Sequence, residues 1–148
     1  GLPNPYGIPD SHEEPWEPYV LPKACTRVLL LSDIHVPYHD IDALTMALDY
    51  GKDQECNAIV LNGDTMDCYA LSRYEKDPRK RSFSGELDDC RQLLKGIRDA
   101  FPGVPIYFKL GNHEERYEAY MRAKAPELLG VQEFRLDVLL RFGELGGV

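Results

Sequence analysis

The chain is short of cysteine and histidine, has no long apolar run, and carries no excess of basic charge; each shortage closes off a class of protein. No apolar stretch approaches the roughly 18 residues needed to cross a bilayer. The N-terminus lacks a basic region followed by an apolar one, so neither an anchor nor a signal peptide is expected, and the default address is the cytoplasm. Cys25, Cys56, Cys68 and Cys90 show no C-x-x-C spacing. They are expected to be reduced, because an even count alone does not make a disulfide framework in a chain of this size. Acidic residues outnumber basic ones, 25 to 17, for a net charge of -8 and a pI near 5.0. That field repels phosphate-rich surfaces, which argues against a general nucleic-acid or membrane-surface binder. Nucleic acid remains possible only as a substrate.

What is present fits an ordinary globular protein: 148 residues, 43% apolar and 28% charged, long enough for one domain with a sizeable core. Residues 1–24 stand apart. Pro3, Pro5, Pro9, Pro15, Pro18 and Pro22 alternate there with Tyr6, Trp16 and Tyr19. Proline at that density rules out helix and sheet interior, since each one removes a donor and fixes its own backbone angle. An extended arm is expected at 1–24, stapled across the domain surface, linking to a preceding domain, or docking a protein partner. Residues 25–148 form the domain proper.

Three stretches in it share one design: VLLLSDIHVPYH at 28–39, AIVLNGD at 58–64 and IYFKLGNHE at 106–114. Each is an apolar run of strand length closed by Gly, Asp, Asn or His. The first shows no alternation, which suits a parallel strand covered on both faces by helices. Asp40 is placed to cap a helix over 41–50, with Leu44, Ala47 and Leu48 at helical spacing. Ser84 is placed to cap another, whose stripe Leu87, Cys90, Leu94, Ile97 and Phe101 ends at Pro102-Gly103. A third strand over 104–110 and a polar helix over 114–124 follow, and short helical segments over 127–142 close the chain. The alternation of strand and helix predicts an α/β domain whose functional edge is the carboxyl end of a parallel sheet.

The chemistry belongs at that edge. Asp33 and His35 stand two apart, so on a strand extension they face the same side. Asp64 follows Gly63, and Asn112 and His113 follow Gly111, glycines that allow tight turns. Carboxylate, imidazole and amide oxygen together suit a borderline divalent metal such as Mn, Fe or Zn. Singly, D-x-H and G-D are common at strand ends, where they cap turns. In this order, each at the end of an apolar strand, they point to a site.

DIH at 33–35, GDTMD at 63–67 and GNHE at 111–114 resemble the calcineurin-like metallophosphoesterase superfamily over residues 26–125. The resemblance implies a four-layer α/β/β/α sandwich with two divalent metal ions, of which this chain carries the N-terminal half with its parallel sheet. It implies that Asp33 and His35 bind the first metal, Asp64 bridges, Asn112 binds the second, and His113 acts on the phosphate or its leaving group. Asp67 matches an acidic position that orients a ligand. The wording SDIHVPYHD is similar to phage and prophage-type members. The activity implied is metal-dependent hydrolysis of a phosphomonoester or phosphodiester, with a non-catalytic metal-binding or docking module as the alternative.

The family pattern continues with an isolated His and a G-H-x-H, whereas this chain has only His12, His35, His39 and His113. Its ligand set is therefore incomplete: the chain is the N-terminal half of a longer enzyme, a degenerate member, or one completed by His39, Glu114, Glu115 or a second chain. Truncation at the C-terminus is the expectation, with at most one metal weakly held and an uncovered sheet face that drives self-association. His39 is open between a site contact and a surface helix-start residue. Arg79, Lys80 and Arg81 are open between a substrate-phosphate contact and a solvated loop.

Overall fold

The computed structural model describes residues 3–13, 17–72 and 82–146. Trp16 and the Arg79-Lys80-Arg81 cluster lie outside the described residues. Three short apolar segments, β1 (Val28–Leu31), β2 (Ala58–Asn62) and β3 (Ile106–Lys109), pair in parallel in the order β1-β2-β3. Leu29, Ile59 and Ile106 share one register row, as do Leu31, Leu61 and Phe108. These rows form the inner face, where Ile59, Leu61 and Ile106 are fully buried. Asn57 sets the start of the sheet: its Oδ1 accepts from the backbone N–H groups of Thr26 and Arg27, at 3.1 and 3.0 Å.

The helices α1 (Ile41–Asp53) and α2 (Phe83–Ala100) lie between the strands in the chain, and α3 (Glu115–Lys124) follows β3. Asp40 caps α1 by accepting from the Ala43 N–H at 2.9 Å. The α2 stripe Leu87, Cys90, Leu94 and Ile97 packs into the core with Phe101. Its cap is Ser82 rather than Ser84, with Ser82 Oγ accepting from the Gly85 N–H. The early start has a packing reason: Phe83, the first residue of α2, stacks on Tyr117 of α3 with ring centroids 5.6 Å apart. Beyond α3 the chain makes 3₁₀ turns at Pro126–Leu128, Gln132–Phe134 and Phe142–Leu145, with one α turn, α4 (Leu136–Leu139).

The described residues form one mixed α/β unit with a single three-stranded parallel sheet. Its outer face departs from the expectation of cover on both sides. Leu30 of β1 is 60% exposed and Val28 is also open, whereas Leu29 and Leu31 are buried. At β3 the outer face is covered, because Tyr19 of the proline-rich arm sets its ring 5.9 Å from that of Tyr107. Cys25 Sγ lies 3.8 Å from the Tyr107 hydroxyl. All four cysteines are free. No described helix is long and apolar enough to cross a membrane.

Candidate metal centre

Past its last residue each strand turns sharply, and several non-glycine residues take the left-handed backbone that such turns require. Asp33, His35 and Asp64 have φ of 55°, 55° and 52°. Pairing nevertheless continues between the first two tips. The Asp33 N–H donates to the Gly63 carbonyl at 3.2 Å, that of His35 to the Asp64 carbonyl at 2.9 Å, and that of Val36 to the Thr65 carbonyl at 2.8 Å. The third tip closes in through a glycine. A Cβ on Gly111 would fall 2.3 Å from Asp64 Oδ1 and 2.5 Å from the Asp64 backbone nitrogen. Only a residue without a side chain lets the two tips touch.

This convergence brings His35, Asp64 and His113 together, with one potential ligand atom from each lying within 4.8 Å of the others. Asp33 adjoins the group, its Oδ1 3.7 Å from His35 Nε2. Asp67 stands behind both imidazoles. Its Oδ1 is 3.2 Å from His35 Nδ1, and its backbone carbonyl accepts from His113 Nδ1 at 2.9 Å. The ring centroids are 4.4 Å apart, edge to face. With both Nδ1 atoms engaged, a partner fixes tautomer and ring orientation on each histidine. His35 Nε2 is left for a ligand or substrate, whereas His113 Nε2 also has an Arg116 guanidinium nitrogen 3.4 Å away. Half-buried carboxylate and imidazole donors at this separation fit one divalent ion.

Asn112 is exposed and lines a cleft of about 1140 Å³ with Asp64, His113 and Arg116. His39 lies outside the three-residue group, in a smaller cavity of about 210 Å³ that it shares with Asp33 and Asp40. Arg79 and Arg81 fall outside the described residues.

Three residues beneath the site were not singled out for these roles by sequence reasoning. Glu114, 1% exposed, accepts with Oε2 from the N–H groups of Asp64 and Gly111, at 2.9 and 2.8 Å. Its Oε1 accepts from the Met66 N–H at 2.8 Å, so one carboxyl group pins the β2 and β3 tips together. Glu115 is exposed. Arg116 donates to the Asp67 carbonyl at 3.0 Å and lies 3.4 Å from His113 Nε2. Glu86, on α2 and 3% exposed, accepts from the Cys68 N–H. Burial pushes its carboxyl up to about 7, with the nearby Asp67 charge adding to the effect and the Cys68 N–H opposing it. Burial likewise raises the Cys68 thiol, with Glu86 and Glu114 contributing, so that this sulfur is a packing group and no nucleophile. The one sequence signal for Glu114 was its place in GNHE.

Two curated relatives are similar to this chain in sequence. The gene 54 protein of Mycobacterium phage L5 is 29% identical over 125 residues, covering 81% of this chain and 49% of the relative. The gene 54 protein of Mycobacterium phage D29 is 27% identical over the same length and with the same coverage. The chain thus spans about half the length of the curated relatives it matches. No solved structure matches it. The family model for calcineurin-like phosphoesterases matches residues 26–145, which include every strand tip described above, and the chain belongs to that family.

Proposed function

We propose that the chain carries the metal-binding core of a hydrolase that cleaves a phosphomonoester or phosphodiester by attack of water. The observation that carries the reading is the convergence of His35, Asp64 and His113 on one point at the carboxyl edge of the sheet. A divalent ion held there, Mn, Fe or Zn, supplies Lewis acidity toward phosphoryl oxygens and water acidic enough to attack near neutral pH. In this reading Asp33 and His35 would hold the first ion, Asp64 would be shared with a second in a complete enzyme, and Asn112 would serve that second ion. Asp67 keeps His35 in the tautomer that presents Nε2. His113, fixed through Nδ1, directs Nε2 to the leaving oxygen, where a positioned acid is worth roughly 10²-fold or more in rate. Its closeness to His35 and Asp64 equips it equally as a ligand. The competing function, a metal-binding or docking module without turnover, draws on the small number of donors in the cluster.

With three clustered donors, the 148-residue chain is expected to hold one divalent ion weakly. The exposed Leu30 and Val28 also favour its self-association. Mn titration by calorimetry tests the assignment. Wild type should show one weak site and Asp64→Asn none, with Asn112→Ala close to wild type in this chain; in the complete protein Asn112→Ala should lower metal content, but less than Asp64→Asn. Mn binding that is absent in wild type, or untouched by Asp64→Asn, would overturn the metal centre. In any form that turns over, His113→Gln separates its two roles: a fall in rate with metal retained marks the acid, and metal loss marks the ligand.

A further inference from the structure

The cleft beside the metal centre is far larger than a phosphate group, and one long wall of it is a face of α3. Arg116, Ala119, Tyr120, Ala123 and Lys124 follow each other along that face at three- and four-residue spacing, with Arg122 at one margin. Arg116 stands at the inner end, held against the Asp67 carbonyl beside His113. Lys124 stands at the outer end, about 12 Å away along the helix axis. Tyr120 lies midway and is 39% exposed, between two alanines that leave its surroundings open. Arg122 is paired with Glu118 at 3.5 Å, and Glu115 and Asp64 are the acidic groups on the cleft wall. The acids thus cluster at the metal end, and the outer end is cationic.

We propose that this face of α3 is a track for single-stranded nucleic acid, with the scissile phosphate at the metal centre, a flanking base on Tyr120 and an outer phosphate at Lys124. The inference rests on the phosphoesterase reading and names its substrate class. The net charge of -8 disfavours binding by charge alone, so recognition must come from local contacts that the overall field does not oppose. Stacking on an aromatic ring is such a contact, and it requires an unstacked base that a duplex does not offer. Cations before and after the ring supply the short backbone-tracking component. The polar character of α3 follows from the same arrangement: Met121 is buried, Tyr117 packs at the core's edge, and the cleft face is left to polar and small residues.

The test is fluorescence anisotropy of a labelled oligothymidylate with the 148-residue chain at low ionic strength in a metal chelator, which isolates the track from the metal centre. Wild type should bind, and Tyr120→Ala should weaken binding by about tenfold. Tyr120→Phe, which keeps the ring, should bind like wild type, and Lys124→Ala should weaken binding several-fold and flatten its salt dependence. Circular dichroism confirms that each variant is folded. Absence of binding by wild type, binding unmoved by Tyr120→Ala, or equal affinity for a blunt duplex would each overturn the track. Mn titration of the same variants in chelator-free buffer reports on the metal centre separately, so loss of one does not imply loss of the other.

Discussion

Removing the Glu114 carboxyl should cost far more than an ordinary surface substitution, although the residue need touch neither metal nor substrate. Three backbone N–H groups, those of Asp64, Met66 and Gly111, donate to its two oxygens at 2.8 to 2.9 Å, and the side chain is 1% exposed. In Glu114→Ala all three donors lose their acceptor where water has little access. A buried unsatisfied donor costs about 1–3 kcal/mol, and the three are neighbours whose losses do not simply add, so about 3–5 kcal/mol is expected. That is a large share of the roughly 5–15 kcal/mol that holds a domain of ordinary stability. Glu114→Gln keeps one oxygen. Placed at the Oε2 position it retains Asp64 and Gly111 and turns its amide against the Met66 N–H, so the loss should be about half. Urea unfolding gives the comparison. With a slope of about 2 kcal/mol per molar, the alanine variant should shift the midpoint by roughly 2 M at unchanged slope. A shift below about 0.5 M for Glu114→Ala would show that the tips do not depend on this carboxyl, and the reasoning would fail.

Two glycine substitutions, one at the strand tips and one away from them, make a contrast. Gly111→Ala places a methyl group against Asp64 Oδ1 and its backbone nitrogen, so Mn affinity measured by calorimetry should fall at least about tenfold. Gly96→Ala, whose Cβ would meet nothing within 4 Å inside α2, should instead raise stability by about 1 kcal/mol and leave Mn binding unchanged. Glu86 predicts a pH effect. Its folded carboxyl is raised from 4.5 to about 7, so between those values the folded state binds more protons than the unfolded one. Its contribution is therefore full below about pH 4.5 and is lost as pH rises to about 7. Unfolding curves of wild type and Glu86→Gln across that range should show wild type losing stability relative to the variant as pH rises; a constant difference would refute it.

The strand positions were legible because a buried parallel strand is a continuous apolar run, and its functional tip is where Asp, His, Gly or Asn interrupts that run. Asp40 was legible as a cap because capping is local, a contact over three residues. Ser84 was the wrong serine because the start of α2 is decided by Phe83 meeting Tyr117, a contact between residues far apart in the chain. The same distance hid the two buried acids. Glu86 reads as a first-turn residue favoured by the helix dipole, and Glu114 as a spare ligand, yet each carboxyl turns inward to backbone donors in another segment. Spacing reports which residues share a helix face or strand face. It does not report which remote N–H groups lack a partner. The exposure of Leu30 was hidden for a related reason: an apolar run registers hydrophobicity on both faces, not what is present to cover them.

Those two acids connect the strain of the site to the packing of the helices. Asp33, His35, Asp64 and Cys68 all hold left-handed backbone, which costs a non-glycine residue on the order of 1–2 kcal/mol. Aspartate tolerates that region, but His35 and Cys68 gain little from it locally, so the surrounding structure must over-determine them. For His35 the restraint is its N–H bond to the Asp64 carbonyl, and Asp64 is itself gripped by Glu114. For Cys68 it is the bond to Glu86, anchored by the buried stripe of α2. Asp67 sits between these two anchored turns and holds both imidazoles. The orientation of His35 and His113 is thus set by how firmly α2 and the start of α3 are docked, so core substitutions in α2 that preserve every candidate ligand should still loosen the centre.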